Sequence, residues 1–451
     1  MTRRDFLSAG AALTASAALA QQPEGELFRL RIAAATIDVG HKRLVRTLAY
    51  NGQTPGPLFR WKEGQVVTVE VTNDTAEPDL VHWHGFHIPP EVDGSMEEGT
   101  PMVDAHSSRR YSFTVTPAGT RWYHSHMGGG RNYQRGTYTG QFGVVIVESA
   151  HEPGGYDLDV PIVLHEWEPS LVQDEIEYRL QTINGKMLGA GDPVRVKTGQ
   201  KVLFRIVNAS ATATHRIALP GHGLTVVALD GNAVAMPRNV PVVELSPAER
   251  VDCIVEMSSP GVWVMGETSD AQRNAGMGIV IEYADAQGPP KWLRMPAHGW
   301  DYTEFGAPRP PVATAASRAT QLLIRPPALA AAPPDDVFPL QFKSVGAHSW
   351  TINGKSWPAT DPVIVKAGGR YRLIFDNQSS MAHPVHLHRH TFELTKVAGK
   401  PTSGVFKDVV NVPGWKEVEV ELVAGNPGPS LFHCHNQFHM DQGFMTLLKY
   451  S

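Results

Sequence analysis

Histidine pairs separated by a single residue are the feature of this sequence most able to do chemistry. The chain contains 20 histidines but only two cysteines among 451 residues. Four motifs, HWHG, HSH, HPVHLH and HCHNQFH, begin at His82, His124, His383 and His433. Residues two apart in a strand project from the same face. Neutral imidazole binds copper, zinc, iron or nickel, so these motifs predict a metal site without naming the metal.

The cysteine in the last motif narrows the choice of metal. Cys434 lies between His433 and His435, so its sulfur must point to the opposite face of the strand. His439 and His383 are the imidazoles available there. One thiolate with two imidazoles is the ligand set of blue-copper electron-transfer sites. Eight motif histidines are left for a second site on the other face: His82, His84, His124, His126, His386, His388, His433 and His435.

The elements that must position these residues come from a repeat. The stretch 184–208 recurs at 353–377 with the same spacing of asparagine and glycine, and a copy two residues shorter runs over 51–73. Apolar residues alternate inside each copy, which is the period of strands with one buried face. Frequent turn residues between short strands favour β-sandwiches. The sequence therefore predicts an all-β protein of three Greek-key β-sandwich domains, at 26–150, 156–285 and 340–451.

The histidine motifs take matching positions in the first and third repeats. Counted from the asparagine that closes each copy, the HWH and HLH pairs coincide, and the middle copy has Ile217 and Leu219 there. Counted from a later glycine, the HSH and HCH pairs coincide, and the middle copy has Gly266 and Thr268. The middle domain thus keeps the scaffold without the predicted ligands, and His215 falls outside the register.

Two segments lie outside the repeats. Residues 1–20 carry Arg3 and Arg4, an Ala-rich stretch and a small-residue cleavage site, which predicts a twin-arginine export signal. This predicts a periplasmic or secreted protein with the twin-arginine machinery as a partner. Residues 286–339 form a Pro- and Ala-rich stretch, predicted to be an extended connector between the second and third domains.

Composition argues against a nucleic-acid partner, a membrane span and a disulfide framework. A formal net charge of −5 leaves no basic field for nucleic acid. No internal apolar run approaches the roughly 20 residues of a membrane span, so none is expected in the mature chain. Two cysteines cannot build a disulfide framework.

The four motifs together with three sandwich domains resemble the three-domain multicopper oxidases, the family of laccases and bacterial cuprous oxidases. The resemblance implies cupredoxin-like domains and four copper ions. It assigns His383, Cys434 and His439 to a type 1 copper, and His82 and His386 to a type 2 copper. The type 3 copper pair would be held by the other six: His84, His124, His126, His388, His433 and His435.

The resemblance also implies a mechanism. A reductant gives single electrons to the type 1 copper through the exposed edge of His439, and Cys434 passes them to its covalent neighbours. Four electrons then reduce dioxygen to two waters at a cluster between the first and third domains. Asp93 matches the family carboxylate that assists proton transfer, although an ordinary turn aspartate would look the same.

Two positions depart from many relatives. Met440 stands where bacterial relatives carry a second proton-relay glutamate; Asp441 could replace it or be a solvated turn residue. Phe444 stands at the axial position of the type 1 copper, and a phenyl group cannot coordinate, which predicts a raised copper potential. A shift of one residue would instead place the thioether of Met445 there.

The function predicted is a laccase-like oxidase of phenols or aromatic amines that uses dioxygen. A metallo-oxidase of cuprous or manganous ions is the alternative within the enzyme class, although the 13 methionines are scattered and form no rich insert. A copper nitrite reductase would lack the full set of eight histidines. A non-catalytic copper-binding periplasmic protein on the same fold is the alternative of another class. The HEWE motif at 165–168 could offer a carboxylate to a substrate or lie at a sheet edge.

Overall fold

The computed structural model describes residues 26–130, 132–149, 155–173, 175–307, 333–346 and 349–451. The predicted export signal at 1–20 lies outside the described residues. Within them the chain is mostly β-structure, with three short helices: α1 (Pro90–Asp93), α2 (Asp270–Asn274) and α3 (Gln437–Asp441). Single 3₁₀ turns occur at Gly136–Tyr138 and Tyr302–Phe305. No helix in the described ranges is long and apolar enough to cross a membrane.

The first unit is a sandwich of two four-stranded sheets. Its strands are β1 (Glu26–Gly40), β2 (Arg43–Tyr50), β3 (Phe59–Lys62), β4 (Val66–Asn73), β5 (Val81–His84), β6 (Ser107–Thr114), β7 (Gly119–Ser125) and β8 (Phe142–Glu148). Their order is β2-β1-β4-β6 in one sheet and β3-β8-β7-β5 in the other. Val67, Val69 and Val71 of β4 are buried between the sheets, as their alternation predicts.

The second unit packs a six-stranded sheet on a five-stranded sheet. Its strands are β9 (Leu158–Val172), β10 (Glu175–Ile183), β11 (Val194–Val196), β12 (Lys201–Asn208), β13 (His215–Ala218), β14 (Leu224–Leu229), β15 (Asn232–Val240), β16 (Val243–Leu245), β17 (Arg250–Glu256), β18 (Val262–Glu267) and β19 (Gly278–Tyr283). The orders are β10-β9-β12-β17-β14-β15 and β11-β19-β18-β13-β16.

The third unit packs a seven-stranded sheet on a five-stranded sheet. Its strands are β20 (Asp336–Ser344), β21 (Trp350–Ile352), β22 (Val363–Val365), β23 (Arg370–Asn377), β24 (His383–Leu387), β25 (Phe392–Val397), β26 (Lys400–Pro401), β27 (Phe406–Lys407), β28 (Val409–Val412), β29 (Glu417–Val423), β30 (Ser430–Cys434) and β31 (Met445–Tyr450). The orders are β21-β20-β23-β29-β25-β26, with β27 on β25, and β22-β31-β30-β24-β28.

The three sandwiches confirm the predicted all-β class, and they pack against one another. Trp122, Val207 and Val409, one from each unit, belong to a single buried apolar cluster.

The first strand of the third unit starts at Asp336, so the last residues assigned to the connector pair with β23. Tyr302, in the described part of the connector, is buried and donates a hydrogen bond to Glu249 at 2.6 Å. This part of the connector is therefore packed on the second unit.

Candidate metal centres

The four histidine motifs lie on paired strands of the two outer units. β5 pairs antiparallel with β7, and His82 lies opposite His124. β24 pairs antiparallel with β30, and His386 lies opposite His433. Residues directly opposite in neighbouring strands project to the same side of the sheet. Each outer unit therefore presents imidazoles from two strands on one face.

These two faces meet where the first unit contacts the third. The His82 ring stacks on His388 and the His84 ring on His386, each pair with centroids 3.9 Å apart. All eight imidazoles predicted for the second site are at most 8% exposed. The structure thus brings together one buried group, here named the histidine cluster: His82, His84, His124, His126, His386, His388, His433 and His435.

The eight rings divide into two groups of three and one pair. In one group the ring nitrogens lie within 4.8 Å of one another: His126, His388 and His433. In the other the ring centroids are 5.1 to 5.6 Å apart: His84, His124 and His435. The centroids of the last pair, His82 and His386, are 5.8 Å apart. Each triad and the pair could hold one metal ion, which makes three ions for the eight rings.

Several ring nitrogens of the cluster have no partner that the protein supplies. Among the described residues, five of the rings carry a buried nitrogen without a hydrogen bond: His82, His84, His124, His386 and His435. Buried polar atoms are almost always satisfied, so these nitrogens call for a ligand. Burial, followed by the charges of neighbouring imidazoles, holds the pKa of His84, His124 and His435 well below its ordinary value. Neutral imidazoles are the form that binds metal, and the donor set fits copper ions.

Asp93 lies against the histidine cluster at the end of α1. The helix stops at Gly94, whose φ of 98° favours glycine and whose Cβ, if present, would collide with the Val81 carbonyl. The Asp93 Oδ2 atom lies 2.8 Å from His388 Nδ1 and 3.1 Å from His82 Nδ1. The carboxylate singled out from the sequence therefore contacts one ring from each outer unit.

Glu98 is a second carboxylate at this place, and sequence reasoning missed it. Its Oε1 lies 3.2 Å from His388 Nδ1 and accepts a hydrogen bond from the Leu431 amide at 2.5 Å. Burial and the neighbouring charge of Asp93 raise the pKa of Glu98 well above its ordinary value. The adjacent Glu97 is partly exposed, and nothing in the local sequence distinguishes the two glutamates.

Asp408 reaches the histidine cluster from the third unit, and it too was not expected. His84 Nε2 lies 3.1 Å from Asp408 Oδ1, and His386 Nδ1 lies 2.7 Å from the Asp408 carbonyl oxygen. Arg250 of the second unit donates to both carboxylate oxygens of Asp408 at 2.6 Å. The middle unit therefore supplies no ring of the cluster but balances the charge of a carboxylate that orients two of them.

The predicted group of one sulfur and two imidazoles forms inside the third unit and is named here the sulfur site. Cys434 Sγ lies 3.8 Å from His383 Nδ1 and 3.6 Å from His439 Nδ1. The Asn436 side chain caps α3 and so fixes the start of the helix that carries His439. Burial raises the pKa of the Cys434 thiol. Its ionised form therefore needs a cation beside it, which a copper ion would provide.

Aromatic rings surround the sulfur site. The Phe444 ring is buried with its centroid 5.0 Å from that of His383, and Trp350 packs 4.4 Å from His383 and 4.6 Å from His439. Met445 lies opposite His433 in the ladder of β30 and β31, so its side chain projects to the face away from the sulfur. The structure thus puts Phe444 beside the sulfur site.

Asp441 and Met440 lie in α3 beyond His439. The Asp441 carboxylate accepts hydrogen bonds from the amides of Gly129 and Gly130 at 3.2 and 2.8 Å and from Gln437 at 2.9 Å. Its hydrogen bonds in the described structure include none to an imidazole of the histidine cluster. Asp441 therefore ties the glycine loop after the HSH motif to α3.

Comparison with known proteins agrees with this geometry. Family models described as "Multicopper oxidase" match residues 31–152, 170–284 and 331–451. The multicopper oxidase MmcO of Mycobacterium tuberculosis is 32% identical over 454 residues, which cover 92% of this chain and 85% of that protein. Copper resistance protein A of Escherichia coli is 24% identical, with 93% and 92% covered. The crystal structure of a laccase from Botrytis aclada superposes with a TM-score of 0.79 at 21% identity, covering 94% of this chain and 88% of that one.

The fold is one of three cupredoxin-like Greek-key sandwiches, as the sequence predicted. The chain belongs to the multicopper oxidases. It is a copper-dependent oxidoreductase that uses dioxygen as its acceptor.

Proposed function

We propose that this multicopper oxidase is laccase-like and oxidises phenols or aromatic amines. The observation that carries the proposal is the sulfur site, whose walls are aromatic and whose buried neighbour Phe444 has no donor atom. A weak axial ligand lowers the potential of a blue-copper site, so its replacement by a phenyl group raises it. A higher potential widens the range of organic reductants that can give up an electron.

Four copper ions fit the residues present. His383, Cys434 and His439 would hold the type 1 ion, and His82 and His386 the type 2 ion. The type 3 pair would be held by the two triads: His84, His124 and His435, and His126, His388 and His433. When bound, the ions supply one-electron acceptance at the sulfur site and four-electron reduction of dioxygen to water at the histidine cluster.

The chain's own residues connect and insulate the two sites. Cys434 is joined through single peptide bonds to His433 and His435, which belong to the cluster. This covalent path links the two sites directly. Each of the three sulfur-site residues is at most 2% exposed, so the expectation of an exposed His439 edge was wrong, and bulk water is kept from the sulfur.

In this proposal Asp93 assists proton transfer at the histidine cluster. Its Oδ2 contacts rings from both outer units, which leaves it positioned to hold a proton at the cluster. Met440 offers no carboxylate, and Asp441 is engaged with the glycine loop. Glu98, beside Asp93, is the acidic side chain the structure adds at the cluster.

We also propose that the enzyme acts in the periplasm or outside the cell. Residues 1–20 support this through the order of twin arginines, apolar stretch and cleavage site. A tagged full-length chain should lose this segment on export, and replacing Arg3 and Arg4 with lysines should retain the protein in the cytoplasm.

A steady-state panel on copper-loaded protein tests the substrate class. Phenols, aromatic amines, a non-phenolic dye, cuprous ion and manganous ion are compared by oxygen uptake, with copper-depleted protein as control. The highest kcat/KM is expected for a phenol or an aromatic amine. A clear preference for cuprous or manganous ion would replace this proposal with a metallo-oxidase, the alternative that similarity to a copper resistance protein favours.

A further inference from the structure

The second unit has a group of buried side chains, called here a pocket, at the place where the third unit has the sulfur site. In the third unit Val385 lies opposite Cys434 in the ladder of β24 and β30. In the second unit Ile217 lies opposite Glu267 in the corresponding ladder of β13 and β18. Glu267 therefore occupies the position of the sulfur-bearing residue.

The remaining positions of the pocket follow from the same ladders. His215 precedes Ile217 by two residues, as His383 precedes Val385. The amide of Glu267 donates to the Met277 carbonyl at 3.0 Å, and the third unit repeats this bond between Cys434 and Phe444 at 3.1 Å. The equivalent residues are His215 for His383, Glu267 for Cys434, Gln272 for His439 and Met277 for Phe444.

This equivalence corrects the register counted from the sequence. Ala218 lies opposite Gly266, as His386 lies opposite His433, so Ile217 does not take the position of His386. The second unit has one more residue between the closing asparagine and the histidine than the third. His215 therefore belongs to the arrangement of side chains that the two units share, and it does not lie outside the register.

A serine supports the histidine in both pockets. Ser210 Oγ lies 3.0 Å from His215 Nε2. The third unit repeats this contact at the same 3.0 Å distance between Ser379 and His383. The other ring nitrogen, Nδ1, therefore faces the centre of the pocket in each unit, where it contacts Glu267 in the second unit and Cys434 in the third.

Oxygen donors replace the sulfur and one imidazole in the second pocket. Glu267 Oε2 lies 3.4 Å from His215 Nδ1. The Gln272 side chain contacts His215, and its buried Oε1 makes no hydrogen bond of ordinary geometry with the described residues. Met277 is fully buried at the position equivalent to Phe444. An imidazole nitrogen, a carboxylate oxygen and an amide oxygen thus surround a position equivalent to that of the type 1 copper.

The charge around this pocket is negative. Glu166 of the HEWE motif lies with Oε1 3.6 Å from His215 Nε2, and its Oε2 has no hydrogen-bond partner among the described residues. Glu166 and Glu267 are both at most 3% exposed. Arg273 directs its guanidinium to the Glu267 carbonyl and to Asp270, away from either buried carboxylate. Backbone amides donate to the Glu267 carboxylate at 2.7 and 2.9 Å. Burial lowers the pKa of His215, but the hydrogen bond with Glu267 and the charge of Glu166 outweigh it and raise that pKa, so the two carboxylates favour a positive charge at this ring. A divalent cation at Nδ1 would supply that charge in place of the proton.

We propose that the second unit binds one divalent transition-metal ion of the zinc type through His215 Nδ1, Glu267 Oε2 and Gln272 Oε1. Nitrogen and oxygen donors favour such an ion over cuprous ion, and without a thiolate the site has no blue colour. Glu166 lies behind the other ring nitrogen, where carboxylates support ligating histidines. The site shares no residue with the proposed copper sites.

Zinc uptake by the copper-loaded enzyme tests the proposal. The holoenzyme is equilibrated with Zn²⁺, freed of excess metal and analysed for zinc and copper. One zinc per chain is expected on top of unchanged copper, together with a higher Tm in the presence of zinc. Glu267→Gln and His215→Gln should lose the zinc and the Tm shift, and Glu166→Gln should weaken zinc binding by about 10- to 100-fold.

His222→Gln is the matched control, because His222 is a buried histidine of the same unit that contacts Tyr283 outside the pocket. It should bind zinc as the unmodified enzyme does. The proposal is wrong if the unmodified enzyme takes up no zinc, if zinc enters only by displacing copper, or if Glu267→Gln keeps it. Blue absorption retained in every variant would show that the copper sites are intact, so this test fails or succeeds independently of the proposed oxidase function.

Discussion

The histidine cluster and the sulfur site use the same side chain in opposite surroundings. In the cluster, the ring nitrogens that face away from the centre meet carboxylates such as Asp93 and Asp408. In the sulfur site, His383 instead meets the hydroxyl of Ser379 and the rings of Trp350 and Phe444. One site is bordered by charge and the other by apolar surface.

This difference matches the work that each site must do. Carboxylates behind ligating imidazoles stabilise bound cations and can hold protons that dioxygen needs on its way to water. An apolar border disfavours the more highly charged, oxidised form of a metal and so raises its potential. In the proposed function, the surroundings and the thiolate of Cys434, and not the imidazoles, therefore distinguish the site of oxygen reduction from the site of electron entry.

The largest expected effect comes from removing the sulfur. Cys434→Ser should abolish the intense visible absorption and turnover with every reductant, because it removes the thiolate ligand that would join the copper ion to the covalent path to His433 and His435. Copper analysis should show that the cluster keeps its metal. Cys253→Ser, which alters the other buried cysteine, should leave the absorption in place; loss of colour there would contradict the assignment.

The second largest effect is expected from a carboxylate that lies against the histidine cluster. Asp93→Asn should slow oxygen reduction by about 10²- to 10⁴-fold, the range for loss of a positioned acid or base, and leave the blue colour intact. Single-turnover reoxidation of the reduced enzyme measures this step. Asp104→Asn, at an exposed carboxylate of the same unit, serves as the control. Unimpaired reoxidation of Asp93→Asn would remove this residue from the proton path.

The contribution of the second unit to the carboxylates behind the histidine cluster should be measurable as a loss of unfolding free energy. Arg250→Met leaves Arg121, at 3.4 Å, as the remaining guanidinium partner of the buried Asp408 carboxylate and should cost about 3–5 kcal/mol of unfolding free energy. Denaturant midpoints measure the loss, and Arg250→Met with Asp408→Asn should recover part of it. Arg179→Met removes an exposed ion pair with Glu168 and should cost no more than about 1 kcal/mol. Equal losses in both single variants would argue against a special role for Arg250.

The smallest effect should come from the apolar border of the sulfur site. Phe444→Met offers a thioether to the type 1 copper and should lower its potential by on the order of 60 mV, a tenfold change in a one-electron equilibrium. Redox titration of the blue absorption measures it. Met445→Leu should leave the potential unchanged because Met445 projects to the other face. A shift in Met445→Leu but not in Phe444→Leu would reverse the axial assignment.

The grouping of the motif histidines and Cys434 could be predicted because their pattern is local. HxH spacing, the intervening Cys434 and the period of two in a strand need no knowledge of distant contacts. Glu98, Asp408 and Arg250 could not be predicted, since the contact between His84 and Asp408 joins residues 324 apart in the chain. His215 was misplaced because a single extra residue in a turn shifts a count that only the strand ladder can correct.

The amino-acid sequence by itself determined which side chains could bind metal and which face of each strand they share, because alternation along a strand is a property of the backbone. Only the tertiary structure decided which rings of the first unit stack on which rings of the third, and which carboxylates lie behind them. Those contacts depend on how three sandwiches pack, and packing is set by the combined surfaces of all three units, which no single motif encodes.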